Sequence, residues 1–413
     1  MSRLGPVGED AGAAGGVPSP ARRLDGGASG DYVLEHAPPP KNVPVREPHL
    51  ARLDDLTYHS RPVRSDRVRP GFRQRSGGNH ITMIDDQRAD PAKSVDSLVD
   101  PDGGDPDWLW RSGGLVPWHE ARVHVNAVGH ASVAAVFEGL KAYLAADGER
   151  LLVFRLDDHL RRLHQSARIC RIEIPWTAEE LHTAVLEVLA ANGYACDVYV
   201  RPWAYPAGII REQMVPAGLR CDVVVDSWPF RSGLADERGC RAAVSSWLRV
   251  PDASAPPRAK AFSNYHNGRL ALMEARENGH DWPIMLNERL KVSEGPAACV
   301  ALVRDGRVIT PALTGGLLES ITRDTALTLL AEADVPVEVR EVDRSELYVA
   351  DEIFFMGTAW EILPVRAVDG LTVGDGTPGP LTTLVRDAYM RLVRGESTGH
   401  DEWLTELRLP DRA

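Results

Sequence analysis

From about residue 107 onward, apolar and polar residues fall into short periodic runs, whereas the preceding stretch sustains no apolar period. Two-residue alternation and β-branched clusters predict strands over 122–125, 151–154, 197–201 and 221–225. Between the second and third of these, residues 157–172 follow the helical period. Leu160, Leu163 and Ala167 fall at i, i+3 and i+7, which gives the helix one buried face, and Asp157 or Asp158 is available as its N-cap. These elements make a smaller α/β lobe, expected over 107–230. The polar stretch 231–239 follows Trp228-Pro229 and precedes a strand over 242–247, so it reads as a linker into a larger α/β lobe over 240–413. That lobe is expected to hold a helix after Tyr265, a hairpin across Asn287-Glu288-Arg289, a helix over 322–333, a strand over 352–356 and a final helix near 381–394. No internal repeat is visible.

Residues 1–106 have a different character. They are rich in Gly, Pro, Arg and Asp, with runs such as Ala37-Pro38-Pro39-Pro40, and bury too little apolar surface to offset the entropy of ordering. A disordered low-complexity extension is expected. The six arginines between Arg61 and Arg75 read more readily as a solvated charge run than as an anion-binding patch. Met83 is an alternative start, because the periodic part opens only near Trp108.

Length and composition narrow the function. A chain of 413 residues predicts two domains plus a tail and a core large enough to need no staples. With 47 basic and 59 acidic residues, the net charge of −12 argues against nucleic acid as the main partner. Five cysteines, at 170, 196, 221, 240 and 299, form neither a disulfide framework nor a metal-binding spacing, which suits a reducing cytoplasm and predicts no metal site. No run of about 18 apolar residues and no signal-like N-terminus is present, so no membrane partner is expected.

The candidate chemistry centres on Lys260, in Arg258-Ala259-Lys260-Ala261-Phe262-Ser263-Asn264-Tyr265, with Val292-Ser293-Glu294-Gly295 further along the chain. Pyridoxal phosphate is held by a lysine amine as an imine, and its ring withdraws electrons best when a carboxylate keeps the ring nitrogen protonated. Lys260 supplies the amine, Glu294 the carboxylate, and Tyr265 a donor to the phenolic oxygen. Ser320-Ile321-Thr322 opens a helix whose amides and dipole suit a phosphate, and Thr322 adds a hydroxyl. In His159-Leu160-Arg161-Arg162-Leu163 either arginine could join it. Tyr199 and Arg201 share one face of a strand, and Gly357-Thr358-Ala359 offers free amides at a turn. Trp108, Trp110 and Trp118 read as core or interface residues.

Taken together with Ile321-Thr322-Arg323-Asp324 and Pro364-Val365, these motifs resemble branched-chain amino acid aminotransferases. Those are class IV transaminases of the pyridoxal-phosphate fold type IV superfamily, and the resemblance runs from about Asp107 to near Trp403. It implies an α/β, two-lobed fold of the D-amino acid aminotransferase kind, with pyridoxal 5'-phosphate between the lobes. It also implies a homodimer, in which a loop from the second subunit completes the site. For the cofactor it implies Arg162, Lys260, Tyr265, Glu294, Ile321, Thr322 and Thr358. For the substrate it implies Tyr199 and Arg201 at the side-chain carboxylate of glutamate or 2-oxoglutarate, Thr358 and Ala359 at the α-carboxylate, and Phe137, Lys141 and Ser132 in the pocket. The implied reaction is ping-pong amino transfer between an amino acid and a 2-oxo acid, a step of amino-acid biosynthesis, with Lys260 as the catalytic residue.

Several positions depart from the family pattern. Ser132-Val133 stands where a Tyr-Gly pair is usual, Lys141 where an arginine is usual, and Trp360 and Ser320 where small residues are usual. The expected consequence is a remodelled pocket, bulkier near Trp360, and a specialised amino donor rather than leucine, isoleucine or valine. D-amino acid or (R)-amine transaminases and aminodeoxychorismate lyases share the fold. Arg201 and the Asn264-Tyr265 context favour the branched-chain type, and retention of Lys260, Tyr265 and Glu294 disfavours a degenerate, non-catalytic homologue.

Overall fold

In the computed structural model, residues 105–125, 127, 133–207, 220–231 and 239–410 are described. The expected extension, apart from 105 and 106, lies outside them. So do Ser132 and most of the expected linker.

Sixteen strands in this part form two sheets. The first contains β1 (Trp108–Arg111), β2 (Gly114–Pro117), β3 (Val136–Phe137), β4 (Leu140–Leu144), β5 (Arg150–Phe154), β6 (Val198–Pro206) and β7 (Cys221–Pro229). The second contains β8 (Cys240–Val244), β9 (Trp282–Ile284), β10 (Cys299–Arg304), β11 (Arg307–Thr310), β12 (Val337–Val339), β13 (Glu352–Gly357), β14 (Glu361–Val368) and β15 (Leu371–Thr372). The last strand, β16 (Leu404–Arg408), returns to the first sheet and pairs antiparallel with β5. The sequence pattern assigned everything beyond 240 to the second lobe, and this strand is the exception.

Alternation sets the site-bearing strand. Along β6, buried Val198, Val200 and Pro202 alternate with half-buried Tyr199, Arg201 and Trp203, so the second set shares one face. Residues 122–125, expected as a strand, are paired with no strand among the described residues. Val123 is 39% and Val125 77% exposed, so their alternation had no sheet to bury against.

Among the described residues, five α-helices cover the sheets. In α1 (Leu156–Ile169), Leu160, Leu163 and Ala167 are buried as the spacing predicts. Its N-cap is Arg155 in the left-handed conformation, not Asp157 or Asp158. Those two carboxylates sit in the first turn, where the dipole favours them, and are used in pairs: Asp158 with Arg155 and Arg161, Asp157 with His182. A Thr177–Glu180 capping box starts α2 (Ala178–Asn192). The helix α3 (Phe262–Glu277) buries small residues, Gly268, Ala271 and Ala275. A Cβ on Gly268 would lie 2.8 Å from the Pro296 carbonyl oxygen, so only glycine lets this helix approach the loop after Glu294. The remaining two are α4 (Ile321–Glu332) and α5 (Pro380–Val393). The hairpin near Asn287 is present as an antiparallel bridge between Leu286 and Val292. No described helix is long and apolar enough to cross a membrane.

Candidate active site

A cleft opens between elements of the two sheets, lined among others by Phe137, Arg162, Tyr199, Lys260, Tyr265, Glu294, Ile321, Thr358 and Ala359. Nine of the thirteen residues expected at the site are therefore brought together from seven separate stretches of chain.

Lys260 is pinned through its backbone to the first lobe. Its N–H donates to Ser166 Oγ at 3.0 Å, and its carbonyl accepts from the Phe137 N–H at 3.0 Å. The side chain is thus free to be aimed by something else. Nζ donates to Tyr265 Oη at 2.8 Å, and the Phe137 ring lies 4.9 Å from Nζ. Because α3 begins at Phe262, Tyr265 in its first turn folds back over the lysine that precedes the helix.

Across the cleft, Glu294 is 4% exposed. Burial pushes its carboxyl above the ordinary range, opposed by Arg249, the Leu318 N–H and Lys260. Arg249 Nε lies 2.8 Å from Glu294 Oε1, but off the line of its N–H, which is left without an aligned acceptor. Leu318 N–H reaches Glu294 Oε2 at 3.3 Å. A buried carboxylate so imperfectly satisfied has capacity for another donor, as a protonated ring nitrogen would be.

The anion end is built from α1 and α4. Ser320 caps α4, its hydroxyl accepting from the Arg323 N–H at 3.1 Å, and its carbonyl accepts from the Asp324 N–H at 3.0 Å. The Ile321 and Thr322 amides, ahead of these in the first turn, have no intrahelical partner. Thr322 itself is buried behind the cleft lining, its hydroxyl against Tyr389. Of the two candidate arginines, Arg162 faces the cleft, whereas the Arg161 side chain is 61% exposed and paired with Asp158. Arg162 is fixed by two parallel bonds to Glu138, each 2.7 Å, and by one to the Glu319 carbonyl at 2.6 Å. Burial would raise the Glu138 carboxyl, but Arg162 and His159 outweigh it and hold it at about 2. Glu138 is therefore held in its ionised form beside Arg162. Sequence reasoning missed Glu138, His159 and Arg249; the first directly follows the expected Phe137, and its role was visible only once Arg162 was placed beside it.

Three expectations need correction or completion. Lys141 does not line the cleft. It is 1% exposed, and its Nζ donates to Glu361 Oε1 at 2.7 Å, joining β4 to the first residue of β14. Trp360 does not narrow the pocket either. Its ring is buried in the second lobe's core, 4.0 Å from Trp282 and 5.1 Å from Phe355 between ring centroids. The turn at Gly357 sends Thr358 and Ala359 to the cleft and the next side chain into the core. Arg201 shares the face of Tyr199 as expected but stands outside the cleft lining, bound to Asp226. Tyr199 reaches the cleft over Gly139, where a Cβ would lie 1.7 Å from its hydroxyl.

These residues fit pyridoxal phosphate: an amine, a carboxylate for the ring nitrogen, and an arginine beside free helix amides for the phosphate. Comparison with known proteins points the same way. Residues 135–368 match the family model described as amino-transferase class IV. The branched-chain-amino-acid aminotransferase of Escherichia coli K12 is 36% identical over 311 residues, covering 73% of this chain and 97% of that protein. A probable branched-chain-amino-acid aminotransferase of Aquifex aeolicus is 36% identical over 301 residues, covering 72% of this chain and 96% of its own length. Among solved structures, the branched-chain amino acid aminotransferase of Thermobaculum terrenum in its PLP form superposes with a TM-score of 0.71 at 41% identity, over 73% of this chain and 98% of that one. The chain thus belongs to the class IV aminotransferases, as a pyridoxal-phosphate-dependent enzyme related to the branched-chain amino acid aminotransferases.

Proposed function

We propose that this protein is a cytoplasmic homodimer that moves the amino group of a branched-chain or related amino acid to a 2-oxo acid by a ping-pong cycle. The observation that carries this reading is the Lys260–Tyr265 pair, 2.8 Å apart, in one cleft with Glu294. Exposed Val125 and Val133 support the dimer as apolar surface that a second subunit would cover.

Bound pyridoxal phosphate supplies an electron sink for the bond broken at the substrate α-carbon. Lys260 Nζ takes the α-proton and later returns one, with Tyr265 Oη holding the amine in line. Glu294 presents its carboxylate to the ring nitrogen. Arg162 and the Ile321 and Thr322 amides hold the phosphate, while the Thr358 and Ala359 amides receive the substrate α-carboxylate. Phe137 and Tyr199 form the apolar wall against the side chain. The acceptor expected from Arg201, 2-oxoglutarate, depends on how free that arginine is.

The test is spectroscopic and kinetic. Added pyridoxal phosphate should give a near-visible absorbance band that shifts on adding a branched-chain L-amino acid. Lys260→Ala should lose the lysine-dependent band and slow amino transfer by roughly 10³-fold or more. Reaction only with D-amino acids or (R)-amines, or pyruvate release from aminodeoxychorismate, would replace this reading. A donor panel ranks leucine, isoleucine and valine against related amino acids.

A further inference from the structure

We propose that the β6 end of the cleft is charge-matched, so that the amino acceptor is a monocarboxylic 2-oxo acid with an uncharged tail rather than a dicarboxylic one. The inference rests on the transaminase reading of the same cleft and names the substrate class it takes.

A substrate's second carboxylate would need a cation with an open fork. Arg201 is the cation on the cleft-facing side of β6, two residues from Tyr199. Directly opposite it in register on β7 stands Asp226, 4% exposed. Arg201 Nε donates to Asp226 Oδ1 at 3.2 Å and Nη2 to Oδ2 at 2.6 Å, so the side-on fork that best grips a carboxylate is taken. Among the described neighbours, Arg249 pairs with Glu294 and Lys141 with Glu361, and Arg162, paired with Glu138, is spent on the cofactor phosphate. Lys260 is the exception, and the cofactor claims it.

The surroundings of the pair are aromatic. The Arg201 guanidinium lies 5.0 Å from the Trp228 ring, and Tyr199 stacks on Trp228 at 5.1 Å and leans on Phe230 at 5.2 Å. A second carboxylate brought here would meet Arg201 already neutralised and the buried Asp226 as a like charge. A hydrocarbon or aromatic tail would meet ring faces instead and displace only loosely held water. Asp226 therefore acts on specificity, through Arg201.

The experiment uses the enzyme saturated with pyridoxal phosphate and one amino donor. It compares kcat/KM for 2-oxoglutarate with that for 4-methyl-2-oxopentanoate. The wild type should favour the monocarboxylic acid at least tenfold, and Asp226→Ala and Asp226→Asn should each shift the ratio towards 2-oxoglutarate at least tenfold. Equilibrium titration of the cofactor absorbance with glutarate and with 4-methylpentanoate, which cannot react, should show the same reversal without turnover. A wild type that prefers 2-oxoglutarate, with the ratio unmoved within threefold in both variants, overturns the proposal while leaving the transaminase intact. Should neither variant fold, a wild type that prefers the dicarboxylates in both measurements overturns it alone. If no amino acid changes the spectrum, the transaminase reading fails first and takes the proposal with it.

Discussion

On the Lys260 side of the cleft, polar groups face inward with bonding capacity to spare; on the β6 side, each charge already has its opposite. The Ile321 and Thr322 amides lack intrahelical partners, and beside the buried Glu294 the Arg249 Nε is left without an aligned acceptor. By contrast, Arg201 is closed by Asp226 and Lys141 by Glu361. Unfilled capacity in a buried place is costly unless a ligand fills it, so it marks where a cofactor belongs. Filled capacity marks scaffold, or a surface shaped for something uncharged. Two residues expected to shape the pocket, Lys141 and Trp360, fall on the scaffold side.

If that division holds, changes on the scaffold side cost folding energy, and changes on the Lys260 side cost chemistry. The largest effect on stability is expected for Lys141→Met, which removes the ammonium paired with the buried Glu361 carboxylate and should lower unfolding free energy by about 4 kcal/mol. Lys141→Arg keeps the pair and should recover most of that in a urea titration. Trp360→Ala empties a site between Trp282 and Phe355 and should cost about 3 kcal/mol, with the ranking of amino donors unchanged. A reordered donor panel would place Trp360 in the pocket after all. The smallest change is Tyr265→Phe, which removes the hydrogen bond to Lys260 Nζ. It should slow the first half-reaction by about tenfold, equivalent to about 1.4 kcal/mol, and leave the unfolding midpoint where it was. A shifted midpoint with an unchanged rate would erase the contrast between the two sides.

Much of the Lys260 side was legible in the chain because its parts are local. Lys260 and Tyr265 flank one helix start, and Ser320, Ile321 and Thr322 open another, so hydrogen-bonding and dipole rules place them without knowledge of the rest. The helix N-cap at Asp157 or Asp158 was misplaced because both carboxylates had ion-pair partners, one of them His182 on the next helix, and a left-handed Arg155 took the capping position. The strand over 122–125 failed for a related reason: alternation is a promise of pairing, and no strand among the described residues pairs with it.

The sequence by itself determined which chemistry the protein carries, since an amine, a carboxylate, a tyrosine and a phosphate-binding helix start are properties of short segments. Only the tertiary structure decided what surrounds that chemistry. Asp226 comes to Arg201 across 25 residues and Glu361 to Lys141 across 220. The direction in which Trp360 points depends on how one turn leaves a strand. Electrostatic matching and packing act through space, over distances along the chain that no local pattern encodes.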